Sequence, residues 1–164
     1  METPAIRVLV TGGTFDKNYN ELEGRLQFRE THVPEMLELG RCKLGIVVET
    51  LMLIDSLEMT DEHRARVLEA CRRASESRIV ITHGTDTMEL TARALGAAAL
   101  DKTIVLTGAM VPYTFGSSDG LFNLGSALAF AQSLPRGTYV AMNGRALGWS
   151  DVHKNRSTGV FEGG

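Results

Sequence analysis

Cysteine is scarce in this 164-residue chain, which holds only Cys42 and Cys71. They lack a Cys-x-x-Cys spacing and are too few for a disulfide framework, so they read as reduced residues of a cytosolic protein. His32, His63 and His153 fall at no metal-ligand spacing. A charge excess of either sign is also missing. Seventeen Lys and Arg are scattered among twenty Asp and Glu, leaving a net charge of −3, which argues against nucleic acid as a partner. No apolar run is long enough to span a membrane, so no membrane partner is expected. Met1-Glu2-Thr3-Pro4 leads directly into Ile6 to Val10, a segment too short and too poorly flanked by basic residues for a secretory signal. Cytoplasmic residence is the default expectation. Gly-x-Gly-x-x-Gly and the P-loop lysine are both missing, so only bare glycine amides at Gly12-Gly13 speak for a phosphate. No cofactor is expected.

What the chain does have is alternation. Short β-branched runs give way to longer helical patterns, which predicts an α/β fold of repeated βα units around a mainly parallel sheet, all in one domain over 1–164. The expected strands are Ile6 to Val10, Gly45 to Val48, Arg78 to Thr82, Thr103 to Leu106 and Thr138 to Met142, mostly continuous apolar stretches that suit strands covered on both faces. Thr60 is placed to cap a helix from Asp61, with His63 where a capping box would have Glu or Gln, so half of the box is expected. Glu89 to Leu100 and Leu121 to Leu134 read as further helices, the latter ending at Pro135. Between Phe15 and Glu30 neither periodicity holds, and a long mobile loop is expected, with Tyr19 its only aromatic hydroxyl.

Two turns carry the chemistry. Thr11-Gly12-Gly13-Thr14 and His83-Gly84-Thr85-Asp86-Thr87 each put hydroxyls and unobstructed N–H groups at the carboxyl end of an expected strand, where open α/β sheets gather ligands. Hydroxyls, a carboxylate and bare amides suit attack on an amide carbonyl and capture of the oxyanion. Asp86, Thr87 and Glu89 also fit an acidic helix start, with Asp86 opening the helix. Threonine needs a base, and a lysine can serve when its surroundings favour the neutral amine. Lys154 lies in the polar cluster Ser150 to Asn155, after the last expected strand. His83 reads as a packed, hydrogen-bonded histidine, and Trp149 and Phe161 as packing residues.

Five ordered motifs resemble the bacterial-type L-asparaginase family: Val10 to Phe15, Ile81 to Glu89, Thr107 to Pro112, Ser118 to Leu124 and Asp151 to Asn155. The resemblance implies a three-layer α/β/α sandwich with a left-handed crossover and a homodimer or homotetramer. It also implies hydrolysis of L-asparagine, a small-molecule substrate, to L-aspartate and ammonia through an acyl-threonine. It casts Thr14 as the nucleophile assisted by Tyr19, and Thr85, Asp86 and Lys154 as a facing relay in which Asp86 holds the lysine or the substrate ammonium. Ser56 is implied for the substrate α-carboxylate and the main chain near Ala109 for the leaving amide.

Two departures qualify the resemblance. Where relatives commonly have Gly-Ser-Gln, this chain has Asp55-Ser56-Leu57, and Leu57 cannot donate the glutamine hydrogen bonds. Losing one charge-assisted contact costs ~1.5–3 kcal/mol, so a high KM is expected, and the preference between asparagine and glutamine is left open. The chain also looks like a short branch without the smaller carboxyl-terminal domain that lends acidic residues to a neighbouring subunit's site. The alternatives are a non-catalytic amino-acid sensor or assembly module, and an amidase for glutamine or another amide.

Overall fold

The computed structural model describes residues 5–163; Met1 to Pro4 and Gly164, included in the sequence reading, lie outside the described residues. The strands are β1 (Ile6–Gly12), β2 (Asn18–Asn20), β3 (Arg25–Gln27), β4 (Ile46–Ile54), β5 (Arg78–Thr82), β6 (Thr103–Thr107), β7 (Gly137–Met142), β8 (Arg145–Gly148), β9 (His153–Lys154) and β10 (Phe161–Glu162). The helices are α1 (Val33–Leu39), α2 (Asp61–Arg73), α3 (Met88–Ala97) and α4 (Gly120–Ser133).

Six strands form the main sheet in the order β4-β1-β5-β6-β7-β8, parallel except for the last pairing. Because side chains alternate across a strand, the register sorts them into two faces. Leu9, Ile81, Leu106 and Val140 align across four strands and pack with Val67 and Cys71 of α2 and Ala92 and Leu95 of α3. Val8, Val80 and Val105 form the opposite row and pack with Met36 of α1 and Leu124, Ala127 and Ala131 of α4. Helices therefore cover both faces, giving three layers. Full burial of each large aliphatic side chain contributes about 1.5–3 kcal/mol.

Most expected elements are present, with three corrections. The Gly45 to Val48 strand runs on to Ile54, past the polar Glu49 and Thr50 that interrupted its apolar pattern. As an edge strand it tolerates them, and Glu49 pairs with both Arg7 and Arg73. The Phe15 to Glu30 segment is not structureless: after a short 3-10 turn over Thr14–Asp16 it folds into the antiparallel hairpin β2–β3, with Tyr19 opposite Leu26. Its base is fastened to the body, where His32 N–H donates to Asp16 Oδ1 at 2.8 Å and Lys17 meets Asp55 at 2.6 Å. The α2 capping box is complete, because His63 Nδ1 accepts from Thr60 N–H at 3.0 Å, as a glutamate would, while Thr60 Oγ1 accepts from His63 N–H. Among the described residues no helix is long and apolar enough to cross a membrane.

Candidate active site

In chain order the parallel strands lie as 2-1-3-4-5, so the direction of winding reverses between β1 and β5. The carboxyl ends of the two strands at such a switch point flank a ligand crevice. Thr14 follows β1 and Thr85 follows β5, so the two threonine turns stand on its two sides.

The turns are in contact through backbone. Gly13 has φ +78°, and a Cβ there would overlap Gly84 Cα and N and lie 2.9 Å from His83 C. A Cβ on Gly84 would in turn come within 2.5 Å of Ser56 Cβ and 2.6 Å of its Oγ. Glycine is needed at both positions, by conformation and close approach at Gly13 and by close approach at Gly84. Ser56, 2% exposed, opens a 3-10 turn whose preceding residue, Asp55, accepts Leu57 N–H at 3.0 Å. The hydrogen bond from Lys17 holds the Asp55 carboxyl below its usual range against the opposing effect of burial.

Thr85, Asp86 and Lys154 meet directly. Lys154 Nζ donates to Thr85 Oγ1 at 2.8 Å and to Asp86 Oδ1 at 3.0 Å. Its side chain is only 9% exposed. The lysine reaches this position from the two-residue strand β9, where Lys154 N–H donates to Glu89 Oε2 at 2.9 Å. Arg93 of α3 donates to Val152 O, and Phe161 N–H donates to Asn143 Oδ1, pinning the surrounding segment. Asp86 does not open α3 as expected from its sequence position. Thr87 is the N-cap residue, its hydroxyl donates to Ser56 O at 2.8 Å, and the Asp86 carboxylate is drawn to Lys154 and Arg156.

Ala109 is buried in the turn after β6. That turn is shaped by Asp119, whose carboxylate accepts the N–H groups of Met110 and Val111 at 2.9–3.0 Å, and by Asn123, which donates to Gly108 O at 2.8 Å and to Asp119. Tyr19 stands apart on β2, 55% exposed, and no hydrogen bond joins it to Thr14 among the described residues.

His83, at the foot of the Thr85 turn, is packed and hydrogen-bonded as expected. Gly84 O can only accept, so His83 Nδ1 carries the hydrogen that bridges them at 2.8 Å. Nε2 is then the bare nitrogen and accepts from the Thr91 hydroxyl at 2.7 Å. Complete burial lowers its pKa to about 4, so the ring is neutral near pH 7. Asp16, buried beside Phe15, has its pKa raised, chiefly by desolvation and despite the His32 N–H. Among the described residues no group of three or more His, Cys, Asp or Glu is placed to hold a metal ion.

The sequence alone assigns no individual part in the site to Arg156, Asp119 or Asn123, and to Glu89 only a place in an acidic helix start. The i, i+4 spacing of Asp119 and Asn123 at a helix start was a usable signal for those two. None existed for Arg156, whose partner lies 70 residues away.

Comparison with known proteins follows the same outline. The family model described as asparaginase, N-terminal, matches residues 5–161. A probable periplasmic L-asparaginase of Haemophilus influenzae is 36% identical over 173 residues, covering 97% of this chain and 48% of that protein. A glutaminase-asparaginase of Pseudomonas fluorescens is 32% identical over 174 residues, covering 94% of this chain and 47% of that protein. The thermostable L-asparaginase of Thermococcus kodakarensis superposes with a TM-score of 0.84 at 32% identity, over 97% of this chain and 51% of its own.

Proposed function

The chain belongs to the asparaginase family, and on that premise we propose that it is a cofactor-independent amidohydrolase that hydrolyses L-asparagine through an acyl-threonine. It spans about half the length of the curated relatives it matches. The observation that carries the proposal is the Lys154 Nζ to Thr85 Oγ1 hydrogen bond, 2.8 Å long and anchored by Asp86, across the switch point from the Thr14 turn.

In this reading the Thr14 oxygen adds to the amide carbon and its proton leaves through Tyr19. The hairpin carrying Tyr19 must swing inward, a movement that its exposed position allows. N–H groups of the packed turns receive the oxyanion. The carbon–nitrogen bond breaks, ammonia departs with a proton, and the acyl group stays on threonine. Thr85, hydrogen-bonded to Lys154, forms the second relay, which serves the hydrolytic step in which water releases the acid. Ser56 receives the substrate carboxylate and the Ala109 main chain the leaving amide. Leu57, 71% exposed beside Ser56, offers no hydrogen bond, which supports a high KM. Glutamine, or an amide in a larger substrate, fits the same chemistry. Assembly as a homodimer or homotetramer and residence in the cytoplasm complete the reading, the latter resting on Cys42 and Cys71, which form no disulfide.

Ammonia release from L-asparagine and L-glutamine tests it. Wild type should release ammonia at millimolar substrate, and Thr14→Ala and Thr85→Ala should each lose activity by about 10²- to 10⁴-fold while keeping the wild-type circular dichroism spectrum. Full activity in either variant refutes the assigned relay. The exposed Leu57 also favours a second reading, an amino-acid sensor; asparagine-dependent thermal stabilisation without ammonia release would support it.

A further inference from the structure

Asp86 is held by two cations of its own chain. Lys154 Nζ reaches Oδ1 at 3.0 Å and Arg156 Nη1 reaches the same oxygen at 2.7 Å, while Arg156 Nη2 donates to Asp86 O at 2.6 Å. The other carboxylates around the turns are engaged as well. Asp55 pairs with Lys17, Glu89 accepts Lys154 N–H, Asp119 accepts two main-chain N–H groups, and Asp16 is buried against His32 N–H. Among the described residues an incoming ammonium therefore meets no carboxylate without a partner at these turns, and at Asp86, where both partners sit on Oδ1, it meets a charge already offset by Lys154 and Arg156.

An incoming carboxylate meets the opposite situation. The Arg156 side chain is 57% exposed and uses only two nitrogens on Asp86, and a guanidinium carries five N–H donors in a planar fork suited to carboxylates. We propose that Arg156 is a specificity-determining residue that turns the site toward amides bearing a carboxylate but no free α-ammonium, such as monoamides of dicarboxylic acids and N-acylated asparagine. The reaction stays balanced as before: amide and water give carboxylate and ammonium. The proposal rests on the amidohydrolase reading and names the substrate class of that same site.

Ammonia release from succinamate, N-acetyl-L-asparagine and L-asparagine, measured with wild type, Arg156→Gln and Arg156→Lys, tests it. Wild type should show kcat/KM for succinamate at or above that for asparagine. Arg156→Gln removes one of the two cations on Asp86 Oδ1, which favours an ammonium there, and removes the guanidinium proposed to take the carboxylate. One charge-assisted contact shifts affinity by roughly ten- to a hundredfold, so the succinamate-to-asparagine ratio should fall by at least about tenfold. Arg156→Lys, which keeps the charge, should hold the wild-type order of preference. A wild type that prefers asparagine, or a ratio unmoved in Arg156→Gln, overturns the role of Arg156. No ammonia from any of the three amides, with folded wild type, overturns the amidohydrolase reading and this proposal together.

Discussion

His83 should make the fold acid-sensitive well above the range where carboxylates titrate. In the fold the ring is fully buried and neutral, with a pKa of about 4 against an ordinary 6.5. Above pH 6.5 neither state binds the extra proton, so the contribution of this residue is complete. Below it the unfolded chain takes up the proton and the folded chain does not, so stability falls as pH drops, at up to 1.36 kcal/mol per pH unit. The fall ends near pH 4, where the folded ring is protonated too, and amounts to about 3 kcal/mol across the window. That is a large share of the roughly 5–15 kcal/mol by which domains are stable. The hydrogen bonds say what protonation breaks: Nε2, once it carries a hydrogen, can no longer accept from Thr91 Oγ1. Urea unfolding of wild type and His83→Gln at intervals between pH 4.5 and 7.5 isolates the effect, because every other titrating group is common to both. The variant, less stable at pH 7.5, should show a pH slope lower by about one proton near pH 5.5. Parallel slopes would refute the reasoning.

Two further outcomes follow from the site's geometry. Gly13→Ala puts a Cβ into the Gly84 backbone at a left-handed φ, so melting should move down with a cost above about 1 kcal/mol and ammonia release should be lost with it; an unchanged melting temperature would contradict the packing of the two turns. Glu89→Ala removes the acceptor of Lys154 N–H and should lower kcat by roughly tenfold or more with little change in melting temperature, whereas unaltered kcat would show that β9 positions Lys154 without it.

The central strands were legible because their burial on both faces demands continuous β-branched runs, as in Arg78 to Thr82 and Thr103 to Thr107. What was missed is short or depends on distant partners. The three-residue strands of the Tyr19 hairpin and the two-residue β9 hold too little sequence for a period to show, and α1 spans only seven residues. One missed element did leave a mark: Asn143-Gly144, both at positive φ, closes the hairpin from β7 to the antiparallel β8, and Asn-Gly is the preferred pair for such a turn. In the candidate site, the two threonine turns were legible from glycines and hydroxyls at strand ends. The meeting of the Thr85 turn with Lys154 was not, since only the fold spans that separation, and the resemblance alone had joined them.

Lys154 and Thr85 are 69 residues apart in sequence, and a strand of two residues delivers the lysine. During synthesis at about 5–20 residues per second, the segments bearing Thr14, Ser56 and Thr85 therefore emerge several seconds before the one that completes the relay. The sheet's central strands can pair before Lys154 is in place, so on the proposed relay the gain of structure and the gain of activity are separate events in time.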